Sequence, residues 1–88
     1  MPMNKEFSDQ AWEELVQWVH EDRKTVDKIF DLLRDIERNG ASKGKGKPEY
    51  LKHLRAWSRR IDHKNRLLYE VDGNNLLIHS CKTHYGDK

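Results

Sequence analysis

A single cysteine, Cys81, occurs in the whole sequence, so no internal disulfide can form and a reducing cytoplasm is the expected compartment. No apolar run approaches the length of a membrane span or a signal segment, and the start, MPMNKEFSDQ, is polar; a cytoplasmic chain without membrane attachment is expected. There is no internal repeat and no low-complexity tract. Glycine is scarce, and Gly40, Gly44 and Gly46 do not make a nucleotide-triphosphate loop, because position 45 is lysine and no hydroxyl follows Lys47. At 88 residues, with 35% hydrophobic against 36% charged, the chain has material for one domain over 1–88 and one narrow core.

A net excess of either charge is nearly absent, since the formal net charge is only +2, yet the charges are segregated. Acidic residues outnumber basic ones before Asn39. Between Lys43 and Arg66 the only acidic side chains are Glu49 and Asp62 among many Lys and Arg. That basic half is where a polyanion would be held.

Hydrophobic spacing sets out the elements. A short strand over Lys5–Ser8 precedes Ser8, a residue suited to cap a helix. Trp12, Leu15, Val16 and Val19 fall at i, i+3, i+4, i+7, and Val26, Ile29, Phe30, Leu33 and Ile36 repeat the pattern. Extending the first stripe through the gap lands on Asp22 and Arg23, which predicts two helices with a break near Glu21–Arg23. Arg34 and Arg38 followed by Asn39-Gly40 suit a helix end, and Gly40 to Pro48 reads as loop.

After Pro48 the period becomes two. Trp57, Arg59 and Ile61 alternate with Ser58 and Arg60, and two further alternating runs follow at Arg66–Val71 and Leu76–Cys81. Asp72–Asn75 (DGNN) and Asp62–Asn65 (DHKN) are turn sequences. The expectation is an α+β fold, two N-terminal helices packed on a twisted antiparallel sheet, with Arg66 opposite Cys81 and Leu68 opposite His79. Trp12, Trp18 and Trp57 are expected in the core, Trp18 lying off the main stripe.

His84 and Tyr85 end the last strand, Arg66 begins its neighbour, and Glu49 and Lys52 border the basic loop. Cleaving RNA at a 2′-hydroxyl requires a base, an acid and cations for the charge that builds on phosphorus, and Glu, His and Arg supply these roles. Tyr85 could stack on an unpaired base. By spacing alone the same residues also fit a basic, non-catalytic face, with Arg59 and Arg60 as a charged strand edge. His79, Cys81 and His84 lack a second ligand pair for a metal site, and Cys81 suits packing better than chemistry.

The segments AWEELVQW, DRKTVDKIFDLLRDIERNG, GKGKPEYLKH, WSRRID, NRLLYEVD and HY together resemble the Txe/YoeB family of bacterial toxin–antitoxin toxins, within the RelE-like superfamily. The resemblance covers nearly the whole chain. It implies a RelE/YoeB-like, microbial-ribonuclease-like fold and a ribosome-dependent mRNA endoribonuclease of the 70S A site, acting without metal or other cofactor through a 2′,3′-cyclic phosphate. Carried over by motif, Glu49 is the general base, His84 the general acid and Arg66 the stabiliser of the transition state. Lys52 and Arg60 contact the region of the scissile phosphate, Tyr85 orients the nucleotide, and Lys47 and Arg59 join the substrate-binding face, with Lys43 and Lys45 as phosphate or ribosomal-RNA contacts. The implied partners are a cognate antitoxin of the Phd/YefM type, the ribosome with its rRNA, and mRNA; relatives form dimers, which leaves room for a homodimer. A non-catalytic inhibitor on the same scaffold and a simple RNA-binding module are the alternatives. Two departures from the family stand out: only Leu54, Arg55 and Ala56 link LKH to WSRR, where the family has a longer segment with a glycine, and Gly86, Asp87 and Lys88 extend past HY.

Overall fold

The computed structural model describes residues 2–83. The elements run β1 (Asn4–Phe7), α1 (Asp9–Glu21), α2 (Arg23–Asn39), β2 (Glu49–Leu51), β3 (Ala56–Arg60), β4 (Arg66–Asp72) and β5 (Asn75–Thr83). The sheet order is β1-β5-β4-β3-β2, and both helices pack on one face of it, an α+β architecture. The sheet is mixed rather than wholly antiparallel. β1 pairs parallel with β5, because the helical pair carries the chain across one face and the last strand returns beside the first. β2, three residues that period-two reading leaves out as too short, completes the other edge by pairing Glu49 with Ser58 and Leu51 with Ala56.

Ser8 caps α1 as expected, its hydroxyl accepting the Ala11 amide at 3.0 Å. Asp22 is extended (φ −160°, ψ 96°) and serves both helices. It ends α1 through its amide on the Trp18 carbonyl and caps α2 by accepting from the Lys24 amide and the Thr25 hydroxyl. The break falls where two consecutive charges interrupt the apolar stripe.

On α1 the buried face is Ala11, Leu15 and Trp18, one position off the stripe that the larger side chains suggest. Ala11 is small enough to let β5 approach closely, with the Cys81 thiol 3.7 Å from its carbonyl. Trp18 then lies inside with its indole N–H donating to the Cys81 carbonyl at 2.9 Å. Trp12 and Val19 stay exposed instead, and so does Phe30 of α2; Trp12 meets Phe7 edge-on, and the two help line an open groove of about 540 Å³. On α2 the core takes Val26, Ile29, Leu32, Leu33 and Ile36. Burying side chains of this size stabilises by about 1.5–3 kcal/mol each, which makes this stripe and its sheet partners Leu67, Tyr69, Leu76 and Ile78 the main source of stability.

The outer edge of β5 is paired by β1 only as far as Ile78. Beyond that point α1 satisfies it with side chains. The Ser8 hydroxyl donates to the His79 carbonyl at 2.8 Å, and a Glu14 carboxylate oxygen accepts the Cys81 amide at 2.7 Å. With Trp18 on the Cys81 carbonyl, the edge is protected against pairing with another chain.

β4 and β5 do not keep the register that the hairpin turn starts. Val71 faces Leu76 as expected, but irregularities at Arg66/Leu68 and Leu68/Tyr69 insert residues into β5, so that Leu68 faces Ser80 and Arg66 faces Thr83. The expected pairs Arg66–Cys81 and Leu68–His79 are therefore replaced. The bulge also flips the alternation: Ile78 and Cys81 both face the helices, while His79 turns to Glu70, 2.6 Å away.

Candidate active site

Cross-strand neighbours share a face of a sheet, and the ladder Glu49–Ser58–Leu68 lies on the face away from the helices, where Arg60 and its partner Arg66 follow two residues further along. The side chains of Glu49 and Arg66 meet there, Nη1 to Oε1 at 3.4 Å. Glu49 is 61% exposed and Arg66 24%. Such a pair is worth less than about 1 kcal/mol in water. Its weakness leaves both side chains able to exchange each other for another polar partner at little cost.

The basic loop reaches the same end of the sheet. Arg60 donates its amide to the Gly46 carbonyl at 2.7 Å, which brings Lys47 beside Arg60. Lys47 has φ of 52°, left-handed, directly before Pro48 and Glu49. Lys45 points elsewhere, its ammonium 3.0 Å from Asp31 of α2 in an exposed pair. Lys52 stands just past the far end of β2, about 10 Å along the strand from Glu49 at about 3.3 Å per residue, so its side chain has to reach back to join the group. The short link after His53 closes as a tight turn with amides of Leu54 and Arg55 on the carbonyls of Leu51 and Lys52, and Arg55 adopts a left-handed φ of 54°. Despite that shortening, β2 keeps its ladder to β3 and Glu49 stays in register.

Arg59 is not on this surface. It is fully buried on the helix side of β3, and all five guanidinium N–H donors are used. Nε donates to the Tyr69 hydroxyl (2.8 Å), Nη1 to Asp35 (2.5 Å) and the Lys45 carbonyl (3.0 Å), and Nη2 to the carbonyls of Gly40 (2.8 Å) and Lys43 (2.6 Å). Arg59 is thus neither a strand-edge charge nor an accessible substrate ligand, since β2 covers the edge and the guanidinium has no free donor. Asp35 is equally buried. Burial pushes its carboxyl up, but the Lys45 amide, the hydrogen bond and charge of Arg59 and the Asn39 amide outweigh that and hold it below the ordinary carboxylate range. A signal for this pair exists in the sequence: Asp35 sits within the apolar stripe of a helix, and Arg59 alternates with Trp57 and Ile61 on the apolar side of a strand.

His84 and Tyr85 lie outside the described residues. Thr83, the covalent neighbour of His84, pairs with Arg66. The bulges in β5 thus bring the end of that strand to Arg66, two residues further along than a regular ladder would. Among the described residues no group of three or more His, Cys, Asp or Glu is arranged to hold a metal, and no helix is long and apolar enough to cross a membrane. His79 and Cys81, which the sequence allows to be drawn as ligands, face opposite sides of the sheet.

A helical pair on a five-stranded mixed sheet, with a carboxylate–guanidinium pair on the face away from the helices, defines a small α+β protein with a basic open face. Comparison with known proteins narrows this class. Residues 7–85 match the family model of the YoeB-like toxin of bacterial type II toxin–antitoxin systems. Toxin YoeB of Escherichia coli K12 is 42% identical over 81 residues, covering 90% of this chain and 95% of that protein. Among solved structures, the YoeB dimer from Staphylococcus aureus is 49% identical with a TM-score of 0.92, covering 97% of this chain and all of that one. A heterotetrameric YoeB–YefM toxin–antitoxin complex from the same organism is 49% identical with a TM-score of 0.89, over the same shares of the two chains. The chain belongs to the YoeB-like toxin family of type II toxin–antitoxin systems.

Proposed function

We propose that this toxin is a ribosome-dependent endoribonuclease that cuts mRNA in the A site of the 70S ribosome, in the cytoplasm, and so inhibits translation. In this reading Glu49 takes the proton from a ribose 2′-hydroxyl, whose oxygen attacks the adjacent phosphorus. The P–O5′ bond breaks as His84 gives its proton to the leaving oxygen, and the products are a 2′,3′-cyclic phosphate and a 5′-hydroxyl end. Arg66 neutralises the charge that builds on the phosphoryl oxygens in the transition state. Lys47, Lys52 and Arg60 hold the backbone around the scissile phosphate, and Tyr85 orients the nucleotide. The three side chains supply base, acid and cation themselves, so no metal is required.

The observation that carries this reading is the meeting of Glu49 and Arg66 on an exposed basic face, from segments 17 residues apart. The pair adds little to stability and leaves both side chains reachable by a substrate. The S. aureus relatives are described as a dimer and as a complex with YefM. We infer that this chain likewise binds a cognate antitoxin of the Phd/YefM type, whose acidic segment folds onto the basic face, and that it can pair with a second copy.

Primer extension on a translated message tests the assignment. Wild type should cut at discrete codons, and Glu49→Ala should cut at least about 100-fold more slowly, the scale of a lost general base. Equal cutting by both would remove Glu49 as the base, and growth arrest without cutting by either would instead support a non-catalytic inhibitor on the same scaffold.

A further inference from the structure

Five of the polar anchors of the 40–46 segment converge on three buried side chains from distant parts of the sequence. Arg59 of β3 takes the carbonyls of Gly40, Lys43 and Lys45; Tyr69 of β4 donates its hydroxyl to the Ala41 carbonyl at 2.6 Å; and Asp35 of α2 accepts the Lys45 amide at 2.9 Å. The segment has no regular structure of its own and only Ala41 packed against the core. Gly44 is wedged against the same group. A Cβ there would overlap the Asp35 carboxylate and come within 3.1 Å of Arg59 Nη1. Past the last anchor the chain turns through left-handed Lys47, an unfavourable conformation for a lysine that persists only where its surroundings enforce it, and then delivers Glu49.

We propose that Asp35, Arg59 and Tyr69 form a buried hub that positions the lysine-bearing loop and, through it, Glu49, so that Arg59 is a positioning residue for the site and not a substrate ligand. The inference rests on the nuclease reading for its link to catalysis, but not for its link to the loop. The hub joins three elements to one loop by hydrogen bonds to backbone, which makes it insensitive to the side chains the loop displays. Lysines 43, 45 and 47 are then held outward by a backbone that is fixed from beneath. The same arrangement explains why a guanidinium rather than an ammonium stands at position 59: only a planar fork can take Asp35, Tyr69 and three carbonyls at once.

The test compares Arg59→Lys, Gly44→Ala and Tyr69→Phe with wild type and with Ile29→Val, a core trimming that touches neither loop nor hub. All are studied at a temperature where circular dichroism shows each to be folded. Limited trypsin digestion read by mass spectrometry reports the loop through nicks after Lys43 and Lys45, the Lys47–Pro48 bond being a poor trypsin site. Cleavage of a ribosome-bound message reports kcat and KM. At least one folded hub or loop variant should be nicked about 10-fold faster than wild type and lose about 10- to 100-fold in kcat, more than it gains in KM, as expected when a reacting group is misplaced and the surface charge is kept. Ile29→Val should match wild type in both. Wild-type-like nicking in every folded variant, or equal losses in Ile29→Val, overturns the proposal. A wild type that cleaves nothing overturns the nuclease reading and the link to Glu49, while the nicking comparison still decides whether the hub holds the loop.

Discussion

Cys81 is fully buried between α1 and β5, and burial, followed by the nearby Glu14 carboxylate, pushes its thiol up to about 12. A thiol that stays protonated is neither nucleophile nor ligand. Native protein at neutral pH should therefore resist iodoacetamide for hours and become fully alkylated in denaturant, which intact mass spectrometry will show; rapid native alkylation would contradict the packing described. Arg59 and Arg60 make the same point in reverse. Adjacent and chemically identical, one is sealed beneath the loop and the other faces solvent beside Arg66. From the sequence both are expected on the outer, substrate-binding face; alternation with Trp57 and Ile61 is the one local signal that Arg59 points inward, and nothing local shows the five acceptors that wait for it, because they come from three other segments.

At the scale of elements, α1 is more than an apolar cover. Glu14 and Trp18 close the outer edge of β5 where β1 ends, with Lys82 folded back over the Trp18 ring at 4.9 Å and onto Glu21. Glu14→Ala leaves the Cys81 amide without its acceptor, an effect of about 1–3 kcal/mol when the group stays dry. The expected result is a fall in Tm of about 4–24 °C for a domain of this size, at about 4–8 °C per kcal/mol. Glu13→Ala, one residue away on the exposed side, should leave Tm within a degree or two in the same thermal scan. The helix boundaries, caps and turns were legible because each depends on a few consecutive residues. The buried face of α1 is not legible from its largest apolar side chains, because a small residue, Ala11, lets a strand come close and shifts the stripe by one position. The register of β5 is not legible in the sequence, because its bulges leave no local sequence mark.

For the whole molecule, acid is the informative perturbation. Asp35 is held below the ordinary carboxylate range in spite of its burial, and Glu37 is lowered by hydrogen bonds from Lys5 and the Met3 amide, which tie the start of β1 to the end of α2. Folded-state values below the unfolded ones, 3.8 for Asp35 and 4.5 for Glu37, contribute stability that is complete above about pH 5 and is lost as pH falls through the folded values. Urea unfolding should give a constant free energy between about pH 5 and 7 as far as these two groups determine it, then a decline below about pH 4. Asp35→Asn should lower the neutral value by about 3–5 kcal/mol, by stranding a buried guanidinium, and should decline less in acid. An acid limb as steep in Asp35→Asn as in wild type would place the acid sensitivity elsewhere.

The amino-acid sequence by itself determined the α+β class, two helices and their break, the turns, the basic half of the chain and the choice of Glu49, Arg66 and His84 as candidates. All of these follow from local periodicity, turn chemistry and motif. Only the tertiary structure decided that β1 lies parallel beside β5, that bulges set Thr83 rather than Cys81 against Arg66, that Trp18 and not Trp12 is interior, and that Arg59 belongs to a buried hub. Each of those outcomes depends on which distant groups satisfy a backbone edge or a buried charge, and that is settled only when the layers pack.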